Sequence, residues 1–124
     1  MCRFVSKPLG DDPNMECGIT LEDEDGKTIG GIHFWNMEKY AKDLEKYVPS
    51  GKKAFLLSSF FVYPSHQKKG YGKKIIEHIK ETLNGCVLVL VVAKHNAVAI
   101  GLYKHEGFYV VNSNDFFHFM RFDS

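Results

Sequence analysis

Gln67, Gly70 and Gly72, set among Lys68, Lys69, Lys73 and Lys74, are the residues of this chain whose types and spacing suit the holding of phosphate. They lie in Val62-Tyr63-Pro64-Ser65-His66-Gln67-Lys68-Lys69-Gly70-Tyr71-Gly72-Lys73-Lys74, which joins the apolar strand Ala54 to Val62 to an amphipathic helix with Ile75, Ile76, Ile79 and Leu83 at helical spacing. The two glycines therefore stand where a helix begins. Unpaired N–H groups and the positive end of the helix dipole face an incoming anion there, and missing side chains let it approach. Two familiar phosphate loops are excluded. A nucleoside-triphosphate loop needs glycine where Gln67 stands and Ser or Thr where Lys74 stands, and a dinucleotide loop needs glycine at Ile75.

A second segment follows at a distance. Val87 to Val92 is an unbroken apolar run, as expected of a strand buried on both faces. Asn96 then caps a helix with Val98, Ala99, Leu102 and Tyr103 on one face, and Gly107 stands where a left-handed terminal residue belongs. The motif Gln67-x-x-Gly70-x-Gly72 resembles the pyrophosphate loop of the GNAT superfamily of N-acetyltransferases, users of acetyl-coenzyme A (acetyl-CoA). Asn96-x-x-Ala99-x-x-x-Tyr103-x-x-x-Gly107-Phe108 is similar to the second signature of that family, in the right order. Together the two resemblances cover residues 54 to 111.

Composition agrees with one compact domain over residues 1–124. A chain of 124 residues buries roughly two thirds of its unfolded surface. Sixteen basic and fifteen acidic residues leave a net charge of +1, which argues against a nucleic-acid coat or a membrane-surface protein. Cys2, Cys17 and Cys86 have neither paired nor metal-like spacing, and no signal peptide or long apolar segment is evident, so a reducing, cytoplasmic setting is expected. His78, His95, His105 and His118 show no metal-ligand pattern, and no metal is expected.

The remaining elements must frame these two segments. Met1 to Asn14 reads as an irregular arm or a short edge strand around Arg3 to Ser6. Glu16 to Glu22 and Lys27 to Trp35 read as a hairpin turned by Asp25-Gly26 and paired with the strand at Ala54. Met37 to Val48 reads as a helix capped by Asn36, and Phe108 to Val111 and Phe116 to Phe122 read as the last strands. The expected fold is α+β: a mostly antiparallel twisted sheet around one parallel pair. Phe108, Tyr109, Phe116, Phe117, Phe119 and Phe122 read as core and sheet packing, with a homodimer surface as the alternative use of any exposed subset.

The resemblance implies more. The parallel strands, residues 54 to 62 and 87 to 93, would splay apart, so that Phe61, Val62 and Tyr63 offer main-chain contacts to pantetheine. Gln67, Lys68, Lys69, Gly70, Tyr71, Gly72, Lys73 and Lys74 would wrap the pyrophosphate, Asn96 would contact the coenzyme, and Tyr103 would be the general acid near its sulfur. The reaction implied is direct acetyl transfer from acetyl-CoA to an amine, small molecule or protein lysine, in a ternary complex; a coenzyme-binding regulatory module without turnover is the alternative. A backbone N–H near Val62 would meet oxyanion charge. No base stands out, because the strand Ala54-Phe55-Leu56-Leu57-Ser58-Ser59-Phe60-Phe61-Val62 carries no ionisable group. Val91 stands where some peptide N-terminal acetyltransferases carry Glu, which weakens that reading. A water held by Ser58 or Ser59, or His33 on the hairpin, is left to take the proton. The chain has only about fifteen residues where many relatives place a strand and two helices that form one wall of the acceptor site, so a shortened wall is expected. The helix at 37 to 48 either replaces that wall or is a simple insertion.

Overall fold

Asp23 sets the first register of the structure. Its Oδ1 accepts hydrogen bonds from the Asp25 and Lys27 amides at 2.9 and 3.0 Å, and Gly26 takes the left-handed conformation that follows, with φ +81°. The turn folds β2 (Glu16–Glu22) against β3 (Thr28–Asn36). The computed structural model describes residues 2–8, 16–37, 46, 48 and 51–123. Over these, β1 (Arg3–Pro8), β4 (Ala54–Val62), β5 (Val87–Ala93), β6 (Tyr109–Ser113) and β7 (Phe117–Asp123) complete a seven-stranded sheet of order β1-β2-β3-β4-β5-β7-β6. Only β4 and β5 run parallel. The fold is thus the expected α+β arrangement, and within the amino-terminal arm Arg3–Pro8 is a paired edge strand. Of the helix expected over 37–48, all but residues 37, 46 and 48 lies outside the described residues.

Helix α1 (Tyr71–Thr82) joins β4 to β5, and helix α2 (Ala97–His105) joins β5 to β6. Ile75, Ile76 and Ile79 are buried, each worth about 1.5–3 kcal/mol of transfer free energy, and they pack with Phe55, Leu57, Leu88, Leu90 and Met120. Because side chains alternate along a strand, Ala54, Leu56, Val87 and Val89 face the other way, where Met37 and Val48 cover them. Phe4 stacks on His78 of α1 with ring centroids 3.9 Å apart, fastening the edge strand to the helix. At the far end of α1, Lys80 Nζ donates to the Glu106 carbonyl at 2.7 Å, lies 3.6 Å from the buried Glu106 carboxylate, and sits over the Phe122 ring. No helix among the described residues is long and apolar enough to cross a membrane.

Three expectations about burial are corrected. Val91, in a run read as buried on both faces, is 41 % exposed, since the covering residues Met37 and Val48 reach only the lower half of β5. Val98 is 87 % exposed because only the Tyr103 side of α2 meets the core, with Ala99, Ile100 and Leu102 at its margin. Phe116, Phe117 and Tyr109 are exposed too, whereas Phe108 is buried and Phe122 packs against the core.

Gly30 and Gly31 let β3 approach β4. A Cβ on Gly30 would lie 2.5 Å from the Phe61 carbonyl oxygen and 3.1 Å from Ile75 Cδ1; one on Gly31 would lie 2.7 Å from the Ile19 carbonyl oxygen. The two carbonyl contacts are with backbone and cannot be relieved by rotating a side chain. Gly30→Ala is therefore expected to destabilise the protein by about 1–3 kcal/mol, read as a lower urea midpoint. A wild-type midpoint would mean that β3 moves freely against β4.

Candidate active site

The site starts where the parallel ladder stops. β4 and β5 pair from Ala54 with Val87 to Leu57 with Leu90, and no pair follows. On its other edge β4 carries a bulge, with Gly31 opposite Phe61 but His33 opposite Ser58, and Ser59 takes a φ of +52°. That conformation costs a non-glycine residue roughly 1–2 kcal/mol and turns the strand away from its neighbour. The resulting wedge holds a cavity of ≈ 230 Å³ lined by Ile32, Leu57, Ser58, Ser59, Phe60, Leu90, Val91, Val92, Ala93, Asn96 and Tyr103.

Tyr103 reaches this wedge from α2. Its ring packs against Phe60 and Phe108 at centroid distances of 6.0 and 5.8 Å. The residue is 7 % exposed, its hydroxyl bonds no described residue, and no side-chain oxygen is both sealed and unpaired among the described residues. The hydroxyl therefore opens on the cavity. Burial pushes the phenol up to about 12, so it holds its proton throughout the neutral range.

A second cavity of ≈ 460 Å³ adjoins the wedge, with Phe60 and Asn96 on both, and continues past Val62, His66, Gln67, Lys68, Gly70, Tyr71, Gly72, Val98, Ala99 and Leu102. Gly70 caps α1 in the left-handed conformation, φ +84°, with no side-chain cap. The Lys74 amide bonds the Gly70 carbonyl at 3.2 Å, so the amides of Tyr71, Gly72 and Lys73 precede the first intrahelical bond. A Cβ on Gly70 would meet nothing within 4 Å. These uncapped donors, with open space before them and lysines around, fit a phosphate group.

The other expected residues are distributed unevenly. Gly72 leaves its space to Leu102 and Phe60, 3.3 Å from a Cβ built there, so its missing side chain serves the packing of α1 on α2 rather than an opening for an anion. Gln67 Nε2 donates to the Val62 carbonyl at 2.9 Å and ties the loop to β4. Lys73 pairs with Glu77 at 3.8 Å, Lys74 lies 5.7 Å over the Tyr71 ring, and Lys68 and Lys69 are exposed. A hydrogen bond with the Cys2 thiol raises the Tyr71 phenol. Phe61 pairs with Gly31, and the Tyr63 amide and carbonyl are already engaged by the Ile29 carbonyl and the His66 amide at 2.9 and 2.8 Å. Asn96 Oδ1 accepts from the Ala99 amide at 3.3 Å, as a helix cap does.

Neither carboxylate nor imidazole is among the described residues lining the wedge; His33, opposite Ser58 in the ladder, is not brought into it. No cluster of metal-ligating side chains occurs among the described residues. Sequence reasoning missed one contact: Trp35 Nε1 donates to Ser58 Oγ at 3.0 Å. The available signal was the polar pair Ser58-Ser59, which interrupts an otherwise apolar strand as a bulge does.

A search of curated proteins finds no match. Among solved structures, the chain is similar to the ribosomal-protein-S18-alanine N-acetyltransferase of Escherichia coli, with 18 % identity, TM-score 0.74, and 99 % of this chain and 94 % of that one covered. It is similar to Arabidopsis thaliana NAA60 in complex with a bisubstrate analogue, with 14 % identity, TM-score 0.70, and coverages of 98 % and 99 %. It also resembles the PaiA N-acetyltransferase of Thermoplasma acidophilum in complex with coenzyme A, with 18 % identity, TM-score 0.63, and coverages of 89 % and 62 %. At these identities the likenesses speak for the fold alone. The sequence model of the Acetyltransferase (GNAT) family matches residues 5–108, and the chain belongs to that family.

Proposed function

We propose that the protein is an N-acetyltransferase that moves the acetyl group of acetyl-CoA to an amine by direct attack in a ternary complex. The observation that carries this reading is the Tyr103 hydroxyl, opening without a described partner on the wedge where β4 and β5 part. The uncapped start of α1 would hold the pyrophosphate, and the unpaired inner edges of β4 and β5 would take the pantetheine arm. A thiolate leaves more readily when it is protonated, and a phenol with pKa about 12 is in the donating state at neutral pH. The backbone freed by the bulge at Ser59 and Phe60 is closer to the wedge than that at Val62, and it is the better candidate for meeting oxyanion charge.

One observation favours a second reading, coenzyme binding without turnover: the described wall of the wedge carries no ionisable base. Incubation with acetyl-labelled coenzyme A and cell extract separates the two. Tyr103→Phe is expected to lower transfer by about 10²–10⁴-fold while acetyl-CoA affinity stays within about threefold. Coenzyme binding with no transfer by the wild type would select the second reading.

Two further outcomes are expected. Gly70→Glu sets a carboxylate before the α1 amides and should weaken coenzyme A binding on the order of 100-fold in calorimetry, whereas Gly70→Asn, whose side chain tolerates φ +84°, should retain it. Equal affinities of both variants would remove the loop from the site. The pKa of Tyr103 is raised on folding from 10.0 to about 12, so its stabilising contribution is complete below pH 10 and is lost as pH rises from 10 towards 12. Wild-type protein should therefore lose roughly 2–3 kcal/mol more stability over that interval than Tyr103→Phe, by denaturant unfolding. Parallel losses would place the hydroxyl in open solvent.

A further inference from the structure

Ser58 occupies the turning point of the wedge. It follows the last residue of β4 paired with β5 and precedes the bulge. Its side chain shares the face of Ala54 and Leu56, because Phe55 and Leu57 pack on the α1 side with Tyr103. Ser58 and Tyr103 therefore line one cavity from opposite faces of the sheet.

The polarity of the Trp35–Ser58 bond is fixed by chemistry. An indole nitrogen is a donor only, so Ser58 Oγ accepts, through one of its two lone pairs. The serine keeps its own proton and a second lone pair, and no other described side-chain partner takes them. Of the other polar side chains on the cavity, Asn96 caps α2, Tyr103 is the proposed acid, and Ser59 is exposed at the left-handed bulge, whereas Ser58 alone is held by a side-chain hydrogen bond from β3. Val91, exposed on the Ser58 face, adds only apolar wall.

Resting on the acetyltransferase reading, we propose that Ser58 orients the acceptor amine and that Trp35 is the positioning residue that holds Ser58. The amine enters on the face opposite Tyr103, and one of its N–H groups donates to the free lone pair of Ser58. This aims the nitrogen lone pair at the thioester carbonyl carbon. The C–N bond forms, the C–S bond breaks, and sulfur takes the Tyr103 proton. The nitrogen sheds one proton to water, and water returns one to Tyr103, so amine and acetyl-CoA become amide and free thiol. Serine here is a hydrogen-bond acceptor, not a base, which suits a wedge without a carboxylate.

The test uses the full chain with acetyl-CoA and three amines as probes: spermidine, tryptamine and an alanine-initial hexapeptide. With the fastest probe, Ser58→Ala should lower kcat/KM for the amine about tenfold and leave acetyl-CoA affinity unchanged, and Ser58→Thr should restore most of the loss. Trp35→Phe should cause a smaller loss alone and no further loss beside Ser58→Ala. Wild-type kcat/KM in Ser58→Ala, or an equal loss of acetyl-CoA affinity, would overturn the role of Ser58. Additive losses in the double variant would overturn the role of Trp35. Absence of transfer by the wild type to every probe would overturn the acetyltransferase reading and this role with it.

Discussion

The parting of β4 from β5 after Leu57 and Leu90 is the constraint on which the rest of the structure depends. Two parallel strands in the interior of a sheet ordinarily satisfy each other's backbone groups along their whole length. Here the sheet forgoes that pairing over the carboxyl half of both strands. Buried N–H and C=O groups that lack partners cost roughly 1–3 kcal/mol each, so an opening of this kind persists only where something else holds the strands apart. The left-handed Ser59 on the β3 side and α2, with Tyr103 packed on Phe60 and Phe108, are what hold it.

Geometry elsewhere follows from that opening. Because β4 turns aside, the loop after it delivers Gly70 and the uncapped start of α1 beside α2, and Gly72 is needed at their closest approach to Leu102. The two cavities meet at Phe60 and Asn96, so the uncapped start of α1 and the Tyr103 hydroxyl lie along one track. A ligand with a charged head and a long flexible arm matches such a track.

Much of this was legible in the residues because local chemistry and global fold agree. Asn96 and Gly107 are cap residues and behave as such, with Gly107 at φ +97°. Ile75, Ile76 and Ile79 mark the buried face of α1 because that helix lies flat on the sheet. Where the reading failed, the cause was tertiary. An apolar run does not disclose that cover stops short of Val91, and spacing placed Val98 on the same face as Leu102 although the helix is tipped to bury only Tyr103. Gly72 read as a gap for an anion because a sequence does not show which neighbour fills the space. The Trp35–Ser58 bond spans 23 residues and depends on the register of β3 against β4, which the bulge shifts.

The Lys80 contact with Glu106 and Phe122 lies away from both cavities, yet it joins the two helices that wall them. It ties the last turn of α1 to the residue that ends α2, so the two helices on either side of the track share a fixed end. At the glycine end the pair is held again, by the close packing of Gly72 on Leu102 beside Tyr103. Such a frame, tied at both ends, fixes where the Tyr103 hydroxyl stands relative to the start of α1.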